Sequence, residues 1–128
     1  MSIKALLTRI LNRLKTETAS GVITAGSGYT VSSNVRKYGD VVYIQFTVYK
    51  TTQAVFAQGR TTGLGTVASG YRPTGTGFAA TVPATNAINS YMNRWANINI
   101  GTDGSIFVDC HGYSDVKEIY ARAIYVAG

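Results

Sequence analysis

The sequence predicts a mainly β protein: an antiparallel β-sandwich of jelly-roll type behind a short N-terminal helix of coiled-coil type. Three observations predict it. Beyond Tyr29, apolar and polar residues alternate in short runs, the period of half-buried strands. Gly, Asp and Pro punctuate these runs at roughly the 8–12-residue spacing of all-β domains. Helical periodicity is confined to the start, where Ile3, Leu7, Ile10 and Leu14 fall at steps of four, three and four. The chain divides accordingly into an oligomerisation helix (1–20), a Gly-rich linker (21–28) and a β-domain (29–128).

The helix comes first. Ser2 is placed to cap it, and the pattern runs to about Thr18 before Gly21 ends it. Ile3, Leu7, Ile10 and Leu14 form a heptad seam with Leu at a and Ile at d, a choice that disfavours dimers and suits three or more chains. Leu6 and Leu11 widen the stripe. The seam spans only about 18 Å. A lone helix that short is marginal in water, so it must pack on something.

Strands follow. Tyr29 to Val35 is the first, with Tyr38-Gly39-Asp40 as a turn. Val41 to Lys50 alternates best: Val42, Ile44, Phe46 and Val48 face a core, while Val41, Tyr43, Gln45, Thr47 and Tyr49 face outward. Gln53 to Gln58 reads as a strand and Gly59 to Gly65 as a loop, with Leu64 to Val67 pairing briefly. Gly70-Tyr71-Arg72-Pro73 is a bend. Phe78 to Val82 is a strand ended by Pro83, and Ala84 to Asn93 a loop with one helical turn. In Arg94 to Ile100, Ala96, Ile98 and Ile100 point inward and Trp95, Asn97 and Asn99 outward. Gly101-Thr102-Asp103-Gly104 makes a tight hairpin turn into Ser105 to Cys110. Glu118 to Val126 closes the domain, with Ile119, Ala121, Ala123 and Tyr125 on one face.

The net charge of +6 is uneven. Lys4, Arg9, Arg13 and Lys15 give +4 before the first acid, Glu17. A basic patch can face nucleic acid or a membrane surface, but this one reads as the solvated back of the helix. The small charge excess of the β-domain argues against nucleic acid, and no apolar run approaches the ~18 residues of a membrane span. A single cysteine, Cys110, excludes a disulfide framework within one chain and reads as a buried thiol.

No catalytic constellation emerges. His111 is the only histidine, so no multi-histidine metal site forms within one chain. Asp109 and His111 share a strand face, but Ser105 lies too far along it to complete a triad. Asp115 and Glu118 show no sign of an acid/base pair for glycoside hydrolysis. No phosphate loop or calcium loop is present. A non-enzymatic protein without cofactor or metal is expected. The nine tyrosines are more informative. Tyr91, Asn93, Trp95, Tyr113 and Asp115 sit in or beside predicted loops and form the candidate ligand site, since aromatic faces with Asn and Asp side chains suit sugars. The structural alternative has Trp95 plugging a barrel end and the tyrosines filling subunit interfaces.

Three local pieces resemble the heads of phage and prophage receptor-binding and fibre proteins, those of Gram-positive hosts especially. V-R-K-Y-G-D-V-V-Y-I-Q-F-T-V (Val35 to Val48) is similar to their opening strand. Gly70-Tyr71-Arg72-Pro73 resembles their bend before a strand. A-N-I-N-I-G-T-D-G-S-I-F-V (Ala96 to Val108) resembles their hairpin joined by Thr-Asp-Gly. The resemblance implies a non-enzymatic homotrimer in the virion, among other virion proteins, binding a host-surface saccharide or protein. It assigns no binding residue. One departure matters: such heads follow a long shaft, whereas this helix covers under two heptads. Either the helix is itself the attachment device, or the protein is a head fibre or decoration. The alternative function is a module that docks through its helix and binds no host ligand.

Overall fold

The fold follows from which residues can be inside. The structure is a computed structural model that describes residues 2–14, 16–86, 94–110 and 114–127; at 12–14, 16–17 and 85–86 it describes the backbone alone. The elements are α1 (Ile3–Leu14), β1 (Thr16–Ser20), β2 (Ile23–Ala25), β3 (Tyr29–Tyr38), β4 (Val41–Lys50), β5 (Gly59–Val67), β6 (Phe78–Asn86), β7 (Arg94–Ile100), β8 (Ser105–Cys110) and β9 (Val116–Val126). The nine strands hydrogen-bond into one antiparallel sheet in the order β1-β3-β4-β9-β6-β7-β8-β5-β2. It curls until β2 and β5 come back against β3. Its inner face carries the core, including Val42, Ile44, Val48, Phe56, Leu64, Ile98, Ile106, Val108 and Ile119. The expectation of a mainly antiparallel β protein holds. The ladder is one continuous sheet.

The inward and outward faces of β4, β7 and β9 are those the alternation predicts. The turn between β7 and β8 also forms as expected. The Gly101 N–H donates to the Ser105 carbonyl at 2.8 Å, and Asp103 Oδ1 accepts from the Ser105 N–H and hydroxyl at 3.0 and 2.6 Å. Gly104 closes it at φ +86°, where an added Cβ would overlap the Val67 carbonyl. The Gly70–Pro73 bend is tied down from three sides. Lys37 Nζ donates to the Gly70 carbonyl at 2.7 Å, Arg72 Nε to the Val67 carbonyl at 2.8 Å, and the Tyr125 hydroxyl to the Tyr71 carbonyl at 2.6 Å.

Five local expectations are corrected. The helix stops at Leu14, because Thr16–Ser20 pairs with β3 instead. Residues 21–28 are not an unstructured joint: Val22 and Ile23 are buried, and β2 pairs with β5. Gly26 is there for close approach, since a Cβ would overlap the Gly63 carbonyl. Residues 53–57 are not a strand; Gln53 takes φ +63° and the segment drops Phe56 into the core. Residues 59–67 are a strand rather than a loop, with an irregularity between Thr61 and Gly65. β6 also runs through Pro83. It can, because β9 pairs with β6 only at Ala84–Asn86, which leaves Pro83 at a local edge on that side. The helical turn expected around Ala87 to Tyr91 lies outside the described residues.

Two predictions test this architecture. Gly104→Ala should destabilise the domain by on the order of 1–3 kcal/mol in urea unfolding, through backbone strain. The second concerns alkaline pH. Burial, and then the nearby Asp109, push the Cys110 thiol from 9.0 up to about 11. Burial pushes the Tyr125 hydroxyl from 10.0 up to about 12. Below pH 9 both groups are protonated in both states. Above it the unfolded chain releases its protons first, so stability falls from pH 9 to 11 through Cys110 and from 10 to 12 through Tyr125. The urea midpoint should fall across that window, and Cys110→Ala with Tyr125→Phe should flatten the fall.

Candidate functional site

With the inner face filled by the core, chemistry is left to the outer face and to the helix. On β6, β7, β8 and β5 the outward residues line up in register. Thr81 lies opposite Asn97, Asn97 opposite Asp109, and Asp109 opposite Arg60. The Thr81 hydroxyl donates to Asn97 Oδ1 at 2.8 Å. Arg60 lies 3.5 Å from Asp109 and stacks over the Phe107 ring at 4.6 Å. Asp109 is the more sheltered partner, with its side chain 14% exposed against 62% for Arg60. Asn99 stands beside Phe107 in the next row. Together with Ala79 and Ala80 the polar side chains of these rows line a shallow cavity of about 460 Å³. Trp95 extends the same face of β7 beyond Asn97, half exposed, opposite Pro83.

A second depression lies where β9 forks from β6. It is about 560 Å³, floored by Gln45, Thr47, Tyr120 and Arg122 and walled by Thr81 and Pro83. The Tyr120 hydroxyl donates to Glu118 Oε2 at 2.6 Å, which holds its pKa above the ordinary 10.0.

Of the predicted ligand residues, the structure describes Trp95 and Asp115. Trp95 is displayed on the outer face. Asp115 is engaged by Arg94, whose Nε and Nη2 donate to its two oxygens at 3.1–3.3 Å. That pairing holds the Asp115 carboxyl below its ordinary 3.8. Tyr91, Asn93 and Tyr113 lie outside the described residues, as does His111. The residues the sequence reading missed are Thr81, Arg60 and Asp109 as neighbours of Asn97. Only the outward alternation of Asn97 and Asn99 pointed toward them.

The helix stripe is in solvent. Ile3 is 78% exposed, Leu7 53% and Ile10 45%, with Leu6 and Leu11 equally uncovered. The side chain of Leu14 is outside what the structure describes. Ser2 caps the helix as expected, accepting from the Ala5 N–H at 3.1 Å. The chain enters the sheet at Thr16, opposite Tyr38. In the same row lie Val41 and Val126, and in the next Tyr43 and Ile124. Val41, Ile124 and Val126 are exposed, so an apolar patch begins where the helix ends.

No protein-family model matches the sequence, and neither does any curated protein. Among solved structures, the chain is similar to the receptor binding protein gp15 of Listeria phage PSA. The two share 19% identity and a TM-score of 0.61, over 98% of this chain and 74% of that one. At that identity the likeness shows a common fold.

The outward placement of the row is tested by substitution. Asn97→Ala and Asn99→Ala should each change unfolding free energy by no more than about 0.5 kcal/mol. Ile98→Ala, between them and fully buried, should cost about 2–5 kcal/mol in the same urea titration.

Proposed function

We propose that this chain is a non-enzymatic virion protein of a phage or prophage, a homotrimeric fibre or receptor-binding head that attaches to a host-surface saccharide or protein. What carries the reading is the likeness, across nearly the whole chain, to a phage receptor binding protein. The trimer is supported by the uncovered stripe. Each Leu or Ile moved fully from water is worth roughly 1.5–3 kcal/mol, and here Ile3, Leu6, Leu7, Ile10 and Leu11 are 45–78% exposed. Three parallel copies would close the seam, and the patch of Val41, Tyr43, Ile124 and Val126 would bring the β-domains side by side below it. No helix among the described residues is long and apolar enough to cross a membrane.

The charge on the helix favours a second reading, in which α1 docks into another, acidic virion protein and the β-domain binds no host ligand. Salt separates the two. Copies that each bring +4 to the seam repel one another, so self-association strengthens as salt screens the charge; docking to an acidic partner weakens.

The expected mass in solution is roughly 41 kDa, three times 13.7 kDa, rising toward full trimer occupancy with salt. Leu7→Asp with Ile10→Asp should dissociate it while the β-sheet circular dichroism is unchanged. Ile124→Lys should weaken it less. A clean monomer at micromolar concentration and high salt contradicts the trimer.

A further inference from the structure

We propose that the outer face of β6, β7, β8 and β5 is a binding site for a neutral saccharide, with Trp95 as the stacking platform and Asn97 and Asp109 as the principal hydrogen-bonding pair. The proposal rests on the attachment reading for its biological sense, but its argument is local.

The chemistry comes from register. A pyranose presents neighbouring hydroxyls, each of which both donates and accepts. The complementary surface has donors beside acceptors at that spacing. Asn97 and Asp109 are direct cross-strand neighbours, which places their Cβ atoms about 4.5–5.5 Å apart. Asn97 Oδ1 is already satisfied by Thr81, so its two N–H donors remain for a ligand. Asp109 is acceptor-only when ionised, and Arg60 takes it from one side alone. The Asn99 side chain has no hydrogen-bond partner among the described residues and adds a further amide one step down the same strand face. Two hydroxyls of one ring would thus meet an amide donor and a carboxylate acceptor side by side.

The apolar half of a sugar needs a flat surface, and the row supplies one. Trp95 lies two residues from Asn97 on the same face, a separation of about 6.8 Å along an antiparallel strand. The residue is 51% exposed. Tryptophan is enriched at interfaces, where one end is apolar and the other wet, and this one stands beside an amide whose N–H donors are free for a ligand. Charge selects within the saccharides. Arg60 and Asp109 neutralise each other, and Arg60 is further held against Phe107. The site therefore offers an anion no uncompensated cation, and the sheltered Asp109 carboxylate repels one. Neutral hexoses fit; uronates and phosphate-bearing polymers do not.

The test uses the protein's own reporter, because Trp95 is the only tryptophan in the chain. The full chain is titrated with the methyl glycosides of glucose, galactose, N-acetylglucosamine and rhamnose to their solubility limits, and with purified neutral polysaccharide from Gram-positive cell walls. At least one should change the tryptophan emission saturably, with an affinity indifferent to salt. Asn97→Ala and Asp109→Asn should each weaken that response by roughly tenfold or more, with mass and unfolding midpoint unchanged. Trp95→Ala should abolish retention on the immobilised polysaccharide. No saturable response to any of these sugars overturns the proposal. So does a response that survives both substitutions, or one that salt abolishes. Co-sedimentation with Gram-positive cells is measured alongside. Cell binding without a sugar response overturns this site and leaves attachment standing; a sugar response sensitive to the variants, without cell binding, supports the site and counts against attachment.

Discussion

Between β4 and β9, Ile44 lies opposite Ala123 and Phe46 opposite Ala121. Large against small across a non-slipping register is the contact on which the rest of the structure depends. The alanines make room for Ile44 and Phe46 inside a curled sheet, and core packing tolerates little change in volume at such positions. A one-residue slip would carry Arg122 into the core and turn Ile119 out. The same register therefore fixes what is displayed. It sets Val41, Ile124 and Val126 as a patch at one end and Gln45, Thr47, Tyr120 and Arg122 as a polar stretch along the middle. The fork of β9 from β6 follows, and with it the depression between them and the tolerance for Pro83.

Much of this was legible in the sequence where burial is one-sided. β4, β7, β8 and β9 alternate cleanly, so both their existence and their faces were readable. The Asp103-Gly104 signal carried its own turn chemistry. Where the reading failed, local residues obeyed a long-range demand. Gly63 and Gly65 resemble loop punctuation, yet a Cβ on Gly65 would press on the Thr24 carbonyl and the Ile23 side chain. Gly65 lets β2 approach β5, while Gly63 takes φ +75° within the irregularity of β5. β1 is a short polar edge strand with a single small apolar residue, Ala19, against the core, too little to show as alternation. Phe56 looked like a strand residue because a buried side chain on an irregular segment leaves the same mark in sequence.

The candidate site divides along the same line. Trp95, Asn97 and Asn99 as one outward face required only a period of two. Arg60 beside Asp109 beside Asn97 required the pairing of β5 with β8 and β8 with β7, which spacing along the chain does not encode. Asp115 illustrates the same limit. An Asp near aromatics suits a sugar, and here the Arg94 fork engages both of its oxygens, a pairing that spacing along the chain does not announce.

In the proposed assembly, helix and site depend on each other through valency. One open, shallow face that binds a single neutral sugar gains little burial and must order a mobile ligand, so its affinity alone is weak. Linking several such faces makes every contact after the first intramolecular, and the gain can reach 10²–10⁴ without a new contact. That gain requires all the sites to look the same way. A parallel seam supplies this symmetry, and the apolar patch at the foot of the helix limits how far the β-domains splay. It also explains why so short a helix suffices. The seam need not hold three chains unaided, because the patch adds buried area to each pair. The basic helix surface then sets a condition on assembly: repulsion keeps single copies apart in dilute low-salt solution, and association proceeds only when stripe and patch are buried together.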